Sequence, residues 1–477
     1  MSEKASKSHK TIFGTTEKSN FILNMTNEQF NKFASISFSI GFILIFIFSA
    51  IAEILSLQEI SEKNYDWRIL PSIPLAVTGL IGISVFIIAL IKQTLGKKQI
   101  IASILVLLLT VFMYISYINA VTASSDYSAF LGNRYGRYEG FMVLLCYLFI
   151  FLGSMSINKS STVNSIFKVF TVIMAIECIW AVLQFIPSFP NRYYHIPYLL
   201  KNPVLPSGTA GSPVFLATLL SIGLAISVYG ALYSEKSRFS VLYSIAILPV
   251  SFFLVKTQCI IGFVSAAIIV VFVLVTFTRN KNKKKLSSTP VIMMFTGIIA
   301  AAAFIFIKGF NILDGEIIWH DGCGRLGAFG QYTSTLENSF DIHNPVETYS
   351  FMWTKAIEYI KQFPVTGIGP DAFLIPQSRI AINRTALSFD RPYNEYLYYA
   401  ATLGIPAAVS FASLLIYSAV NGIKSFFSNK NWISYAALTS AVTYIVTSVI
   451  TNSTATVTPF VWFLLGICCC TFTTEKE

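Results

Sequence analysis

The chain alternates between long apolar blocks and polar joints. Twelve blocks stand out, at 33–56, 71–92, 100–122, 141–157, 166–187, 211–233, 239–255, 259–278, 290–308, 394–419, 433–450 and 456–472. Each runs to about twenty residues, the length at which a helix crosses the roughly 30 Å hydrocarbon core of a bilayer. The seventh and eighth are separated only by Lys256, Thr257 and Gln258, which predicts a tight external turn. The joints are short with one exception, the polar stretch 310–393. A loop of that size inside a compact protein is usually there for function. Within it Tyr349, Trp353, Ala356, Ile357 and Ile360 recur at helical spacing, and Pro364, Gly367 and Gly369 then break the helix.

The expected fold is therefore an all-α polytopic membrane protein. It has about twelve transmembrane helices and one large extracytoplasmic loop bearing short helices. The expected divisions are a cytoplasmic N-terminal tail at 1–32 and membrane helices 1–9 at 33–309. The large loop follows at 310–393, helices 10–12 at 394–472, and a cytoplasmic C-terminus at 473–477.

Composition supports this class. Of 477 residues 54% are hydrophobic and only 12% charged, against about 25% charged in soluble domains. The net charge of +11 has an explanation in topology. Lys97 and Lys98, Lys159, Lys236 and Arg238, the run 279–285, and Lys424 and Lys430 fall on the same side as the lysine-dotted N-terminus when twelve spans are threaded. Basic residues concentrate in short cytoplasmic loops, so both termini are assigned to the cytoplasm. No nucleic-acid motif accompanies the charge. Six of the seven cysteines lie in or beside apolar blocks, and Cys323 lies in the large loop. Neither a disulfide framework nor zinc spacing results. His320 and His343 have no partner at metal-ligand spacing, so no metal and no cofactor is expected.

Several polar residues carry candidate chemistry. Arg134, Arg137 and Glu139 precede the fourth block. They read either as interfacial anchors or as an anion site, since arginine forks match phosphate geometry. The segment PSGTAGSPVFLATLL (206–220) runs from a Gly-Pro turn into a helix whose first amides could receive an anion. Glu177 lies deep in the fifth block with Gln184 two turns on, either as a contact between helices or in a substrate cavity. Lys256 sits at the external end of the seventh block. Asp371 reads as a turn or helix cap. Asp390, Arg391 and Tyr393 are expected at the membrane surface.

The pieces GNRYGRYEGF, VLQF, GTAGSPVFLA, KTQCIIGF, MWTKAIEYIKQFPVTGIGPDAF and DRPYNEYLYYAATLGIPA occur in this order between 126 and 407. Together they resemble the bacterial O-antigen ligase and polymerase superfamily. FPVTGIGPDAF and DRPYNEYL are the most specific of them. The resemblance implies a metal-independent glycosyltransferase of the cytoplasmic membrane. It would pass a glycan from a polyisoprenoid-diphosphate carrier to an acceptor hydroxyl at the outer face. Arg134, Arg137 and Lys256 would bind the diphosphate, Glu139 would orient the arginines, and Arg391 with Tyr393 would act catalytically near the acceptor. Partners would be the lipid-linked glycan and the bilayer, and not nucleic acid.

The chain departs from the family at four places. Pro392-Tyr393-Asn394 stands where the family usually has Pro-His-Asn, and the side chain of Tyr393, with a pKa near 10, is a poor base at neutral pH. Ile260 and Tyr349 stand where arginines are common, and Ser212-Pro213 where Asn-Pro is usual. Two other classes stay open: a non-catalytic relative that binds lipid-linked glycan or scaffolds its assembly, and a solute transporter built around Glu177.

Overall fold

The computed structural model describes residues 25–57, 69–124, 128–132, 138–186, 206–233, 237–280, 287–308, 345–373, 375–376, 388–389, 391–428 and 431–472. The described chain is helical apart from one antiparallel pair of two-residue strands, β1 (Ile375–Pro376) and β2 (Ser388–Phe389). The helices are α1 (Asn27–Leu57), α2 (Ser72–Ile91), α3 (Lys97–Ser124), α4 (Ser128–Leu131), α5 (Phe141–Met155), α6 (Ser160–Leu183), α7 (Pro213–Tyr233), α8 (Ser237–Lys256), α9 (Ile260–Asn280) and α10 (Thr289–Lys308). After 309–344, which lies outside the described residues with Cys323, His320 and His343, come α11 (Pro345–Gln362), α12 (Glu395–Leu403), α13 (Ile405–Ser428), α14 (Trp432–Thr447) and α15 (Thr458–Cys468).

Every one of the twelve apolar blocks contains a helix, but they are not alike. Among the described residues eight helices are long and apolar enough to cross a bilayer: α1, α2, α3, α6, α7, α9, α10 and α13. Four apolar helices are shorter: α5, the 240–256 stretch of α8, α14 and α15. The tenth block also departs from expectation. It is split at Gly404 into α12 and α13, because Gly404 takes φ 90 and Pro406 follows it. A proline in the first turn of a helix is tolerated, whereas one in its interior breaks it.

Which helices are central follows from what each one exposes. α7 is buried along nearly its whole length, and α14 and α15 are buried on almost every side. α2, α3, α9, α10 and α13 carry exposed large apolar side chains, among them Leu80, Leu107, Val271, Ile299 and Ile416. An apolar surface of that extent is the face such a protein offers to lipid. An aromatic knot joins three helices. Phe42 of α1 stands 4.7 Å from Phe170 of α6 and 5.4 Å from Phe463 of α15, edge-on to both, and Phe170 stands 4.9 Å from Phe460. Edge-to-face pairs of this kind add about 0.5–1.5 kcal/mol each beyond burial.

The basic joints gather at one end of the bundle. Asn31 donates to Asn158 (2.8 Å), Gln99 to Thr471 (3.4 Å), Tyr417 to the Lys98 carbonyl (3.1 Å) and Arg279 to the Phe427 carbonyl (3.0 Å). The polar groups described below collect at the opposite end.

α2 and α5 approach closely because small residues face each other. A side chain at Gly82 would run into the Phe149 carbonyl, and one at Gly153 would come within 2.6 Å of Gly82 Cα. Small residues at such contacts take the place of a hydrophobic driving force, which is absent between helices in lipid. Gly153→Val is expected to cost about 1–3 kcal/mol through overpacking. It should lower the yield of monodisperse protein in detergent and its melting temperature, while Leu80→Val on the lipid-facing side leaves both unchanged.

Candidate functional site

The site begins with the turn after α11. Gln362 ends that helix, and Pro364 cannot continue it. The chain folds back through Gly367 (φ 65) so that Ile368 N–H donates to the Ala401 carbonyl (3.0 Å) and Gly369 N–H to the Thr402 carbonyl (2.9 Å). Those carbonyls are the orphan acceptors at the end of α12. Ile405 N–H closes the arrangement on the Pro364 carbonyl (2.8 Å), and Ser116 of α3 adds a bond to the Thr402 carbonyl (2.9 Å). No side chain fits at Gly367 or Gly404, because each faces the other segment's backbone. FPVTGIGPDAF is thus a C-terminal cap for α12, and its stiffness fixes the position of Asp371.

Asp371 meets Arg391. The guanidinium Nη2 lies 2.9 Å from Asp371 Oδ1 and 2.8 Å from Glu139 Oε2, and all three side chains are fully buried. Nη1 donates to Ser453 Oγ (3.2 Å), which itself donates to Glu139 Oε2 (2.8 Å). Tyr147 of α5 donates to the other Glu139 oxygen. The ring of Tyr398 underlies the guanidinium at 4.1 Å, and its hydroxyl donates to Asp371 Oδ1 (3.4 Å). Tyr444 also donates to Glu395 Oε2. Four separate segments of the chain therefore close on one buried cation.

This arrangement corrects several expectations. Arg391 and Tyr393 are buried within the protein. Arg391 is drawn inside by two carboxylates, and Tyr393 is 4% exposed with φ 51. Non-glycine residues adopt that backbone region only where the surroundings hold them in it. Asn394 does cap α12, accepting from Leu397 N–H at 3.1 Å. Asp371 is a partner in an ion pair. Both oxygens of Glu139 are already engaged, so it serves Arg391. Arg134, Arg137 and Asp390 lie outside the described residues.

A second polar group holds the segment before α7. Glu177 accepts from Thr209 N–H (2.9 Å) and from the Thr209 hydroxyl. The Gln184 carbonyl accepts from Ser207 N–H and Gly208 N–H, both at 3.0 Å, and its amide donates to Ser207 Oγ (3.0 Å). The two side chains clamp the PSGTAG turn onto the end of α6.

Lys256 ends α8. It is 1% exposed, and its ammonium has no hydrogen-bond partner among the described residues. It lies over the rings of Phe304 (4.7 Å) and Phe185 (5.7 Å). Among the described residues no three His, Cys, Asp or Glu side chains converge as metal ligands would.

Sequence reasoning missed Asp371 and Ser453 as partners of Arg391, and it missed Glu395 and Asn452 altogether. The signal for the last was present: TNST (451–454) is a fully polar run between two apolar blocks.

The fold and this site define a multi-pass membrane protein with a buried ionic centre at one end of its helical bundle. Residues 216–412 match the sequence model of the O-antigen ligase family, so through that segment the chain is similar to the O-antigen ligases. The matched stretch runs from α7 into α13. It contains Lys256, Asp371, Arg391, Tyr393 and Glu395, whereas Glu139, Glu177 and Ser453 lie outside it. No curated protein sequence matches the chain.

Removing Arg391 leaves two buried carboxylates without their cation. Arg391→Ala is expected to cost about 3–5 kcal/mol, read as a large fall in melting temperature and in membrane protein level. Arg391→Lys should restore little, because an ammonium cannot fork across two carboxylates and a hydroxyl. Glu177→Ala should cost about 1–3 kcal/mol by orphaning the Thr209 donors, and proteolysis near 206–211 should quicken.

Proposed function

We propose that this protein transfers a glycan from a polyisoprenoid-diphosphate carrier to an acceptor hydroxyl at the outer face of the bacterial cytoplasmic membrane. The observation that carries the reading is the O-antigen ligase match over 216–412, because that segment supplies Arg391 and Asp371 to the buried centre. The orientation belongs to the proposal too. The basic joints face the cytoplasm by the positive-inside rule, so the ionic centre faces outward.

In the transfer, the bond from the sugar's anomeric carbon to the diphosphate oxygen breaks, and its electron pair leaves on the diphosphate. A bond from that carbon to the acceptor oxygen forms, and the acceptor's proton passes in net to the departing diphosphate or to solvent. Stabilising the charge that grows on the leaving group is the largest service a protein can offer here. Arg391 is committed to Glu139 and Asp371, so in this reading it organises the site. The diphosphate falls instead to Lys256, whose ammonium is buried without a hydrogen-bonded partner among the described residues, and to Arg134 and Arg137. The last two precede Glu139 in the sequence by only a few residues.

Tyr393 in place of the family's histidine favours one other reading, a relative that binds the lipid-linked glycan without transferring it. The transporter reading loses its main support, since Glu177 is spent on Thr209.

A strain lacking the protein tests the proposal. Polyisoprenoid-linked glycan should accumulate and surface glycan should shorten or vanish. Wild type should rescue, while Lys256→Met and the double change Arg134→Ala/Arg137→Ala should not, at equal protein levels. Unchanged pools in the deletion strain would sink the transferase reading and favour the binding one. Lys256→Met is also expected to hold or raise the melting temperature, since it removes a buried charge that no described protein group pairs.

A further inference from the structure

α14 has 16 residues and α15 only 11, or roughly 24 Å and 17 Å of helix. Neither is long enough to cross a bilayer alone. The segment that joins them, 448–457, is therefore sunk below the level at which the long helices end. Non-helical backbone at membrane depth is tolerated only where protein buries it or where it lines a cavity. Broken helices at such depth are where membrane proteins place ligands.

The polar groups of this segment divide into two sets. One set is satisfied. Thr454 N–H donates to Thr458 Oγ1 (2.8 Å), Thr454 Oγ1 pairs with Thr456 Oγ1 (3.3 Å), and Ser453 bridges Arg391 and Glu139. The other set is not. Asn452 is 5% exposed, yet both atoms of its amide lack a hydrogen-bond partner among the described residues, and Thr451, 2% exposed, has a hydroxyl in the same condition. At the start of the same segment the Ser448 carbonyl accepts from the Glu395 N–H (2.9 Å), and Glu395 Oε1 has no hydrogen-bond partner among the described residues either. Buried polar atoms are rarely left so, and a group of them beside an ionic centre calls for a ligand.

We infer that Thr451, Asn452 and Glu395 form a subsite for a sugar ring of the glycan, and this rests on the transfer reading above. The ligand is neutral and rich in hydroxyls. The carboxylates Glu139 and Asp371 outnumber the single cation Arg391 that they pair with, so a diphosphate would be repelled. A ring with neighbouring hydroxyls supplies donors for the Glu395 and Asn452 oxygens and acceptors for the Asn452 amide and the Thr451 hydroxyl. Thr451 and Asn452 belong to a stretch of the chain outside the segment matched to the family.

The test uses the full-length protein in detergent. The probes are inorganic pyrophosphate and the oligosaccharide released by mild acid from the cell's own polyisoprenoid-linked fraction. The variants are Asn452→Leu and, as the conservative change, Asn452→Gln. Without ligand, Asn452→Leu should melt at or above the wild-type temperature, because it removes an unsatisfied buried amide. The oligosaccharide should raise the wild-type melting temperature by several degrees. It should do so partly for Asn452→Gln and not at all for Asn452→Leu, while pyrophosphate acts alike on all three. In cells, Asn452→Leu should cut transfer at least tenfold at equal protein level. An oligosaccharide shift that is absent from wild type or equal in Asn452→Leu overturns the subsite, as does a lower melting temperature for Asn452→Leu without ligand. Those results leave the transfer reading standing, provided the deletion strain still accumulates lipid-linked glycan. The absence of accumulation overturns the transfer reading instead.

Discussion

One buried arginine sets the terms for this end of the protein. A guanidinium removed from water is tolerated only when acceptors surround it. Arg391 finds them on three other segments of the chain: Glu139 before α5, Asp371 after α11 and Ser453 before α15. Each of these residues sits where a helix begins or ends. The ion pair thus does more than add stability, since it fixes the relative positions of helix ends that apolar packing alone would leave free to slide.

The glycine-lined turn is the second half of the same constraint. Asp371 reaches Arg391 only because the chain after α11 is stitched to the carbonyls at the end of α12. That stitching needs a backbone free of side chains where Gly367 and Gly404 face it. The same break ends α12 after nine residues. The tenth apolar block could otherwise have been one continuous span. Its interruption lets Arg391, Asn394 and Glu395 enter the bundle instead of resting at its rim.

These physical origins explain what could be read in advance. Block length and apolarity are local properties, and each expected block contains a helix. The helix at 347–362 was legible from its spacing, as was the break that follows it. The tight turn at Lys256 was legible because only three residues, Lys256, Thr257 and Gln258, stand between one apolar run and the next. The partner of Arg391 was not. Glu139 looked like company for its neighbours Arg134 and Arg137, and only the packing of α5 against α15 carries it to Ser453 and Arg391. The lengths of α14 and α15 were overestimated for a related reason. The serines and threonines between them interrupt the apolar runs only briefly in a window, although here the chain leaves the helix along them.

The shortness of those two helices bears on how such a protein could act on an amphiphilic substrate. A carrier lipid stays in the bilayer, its diphosphate sits at headgroup level, and its glycan projects into water. Lys256 ends a helix and lies against Phe304, which suits a cation poised between apolar surface and the headgroup layer. The Arg391 centre draws Ser453 instead from the non-helical stretch between α14 and α15. The two groups differ in kind, because carboxylates surround Arg391 and aromatic rings flank Lys256. Had the arginine been free, it would have drawn phosphate into the centre. Bound to Glu139 and Asp371, it leaves a buried centre whose surplus charge is negative, which in the proposed reading suits a neutral ligand.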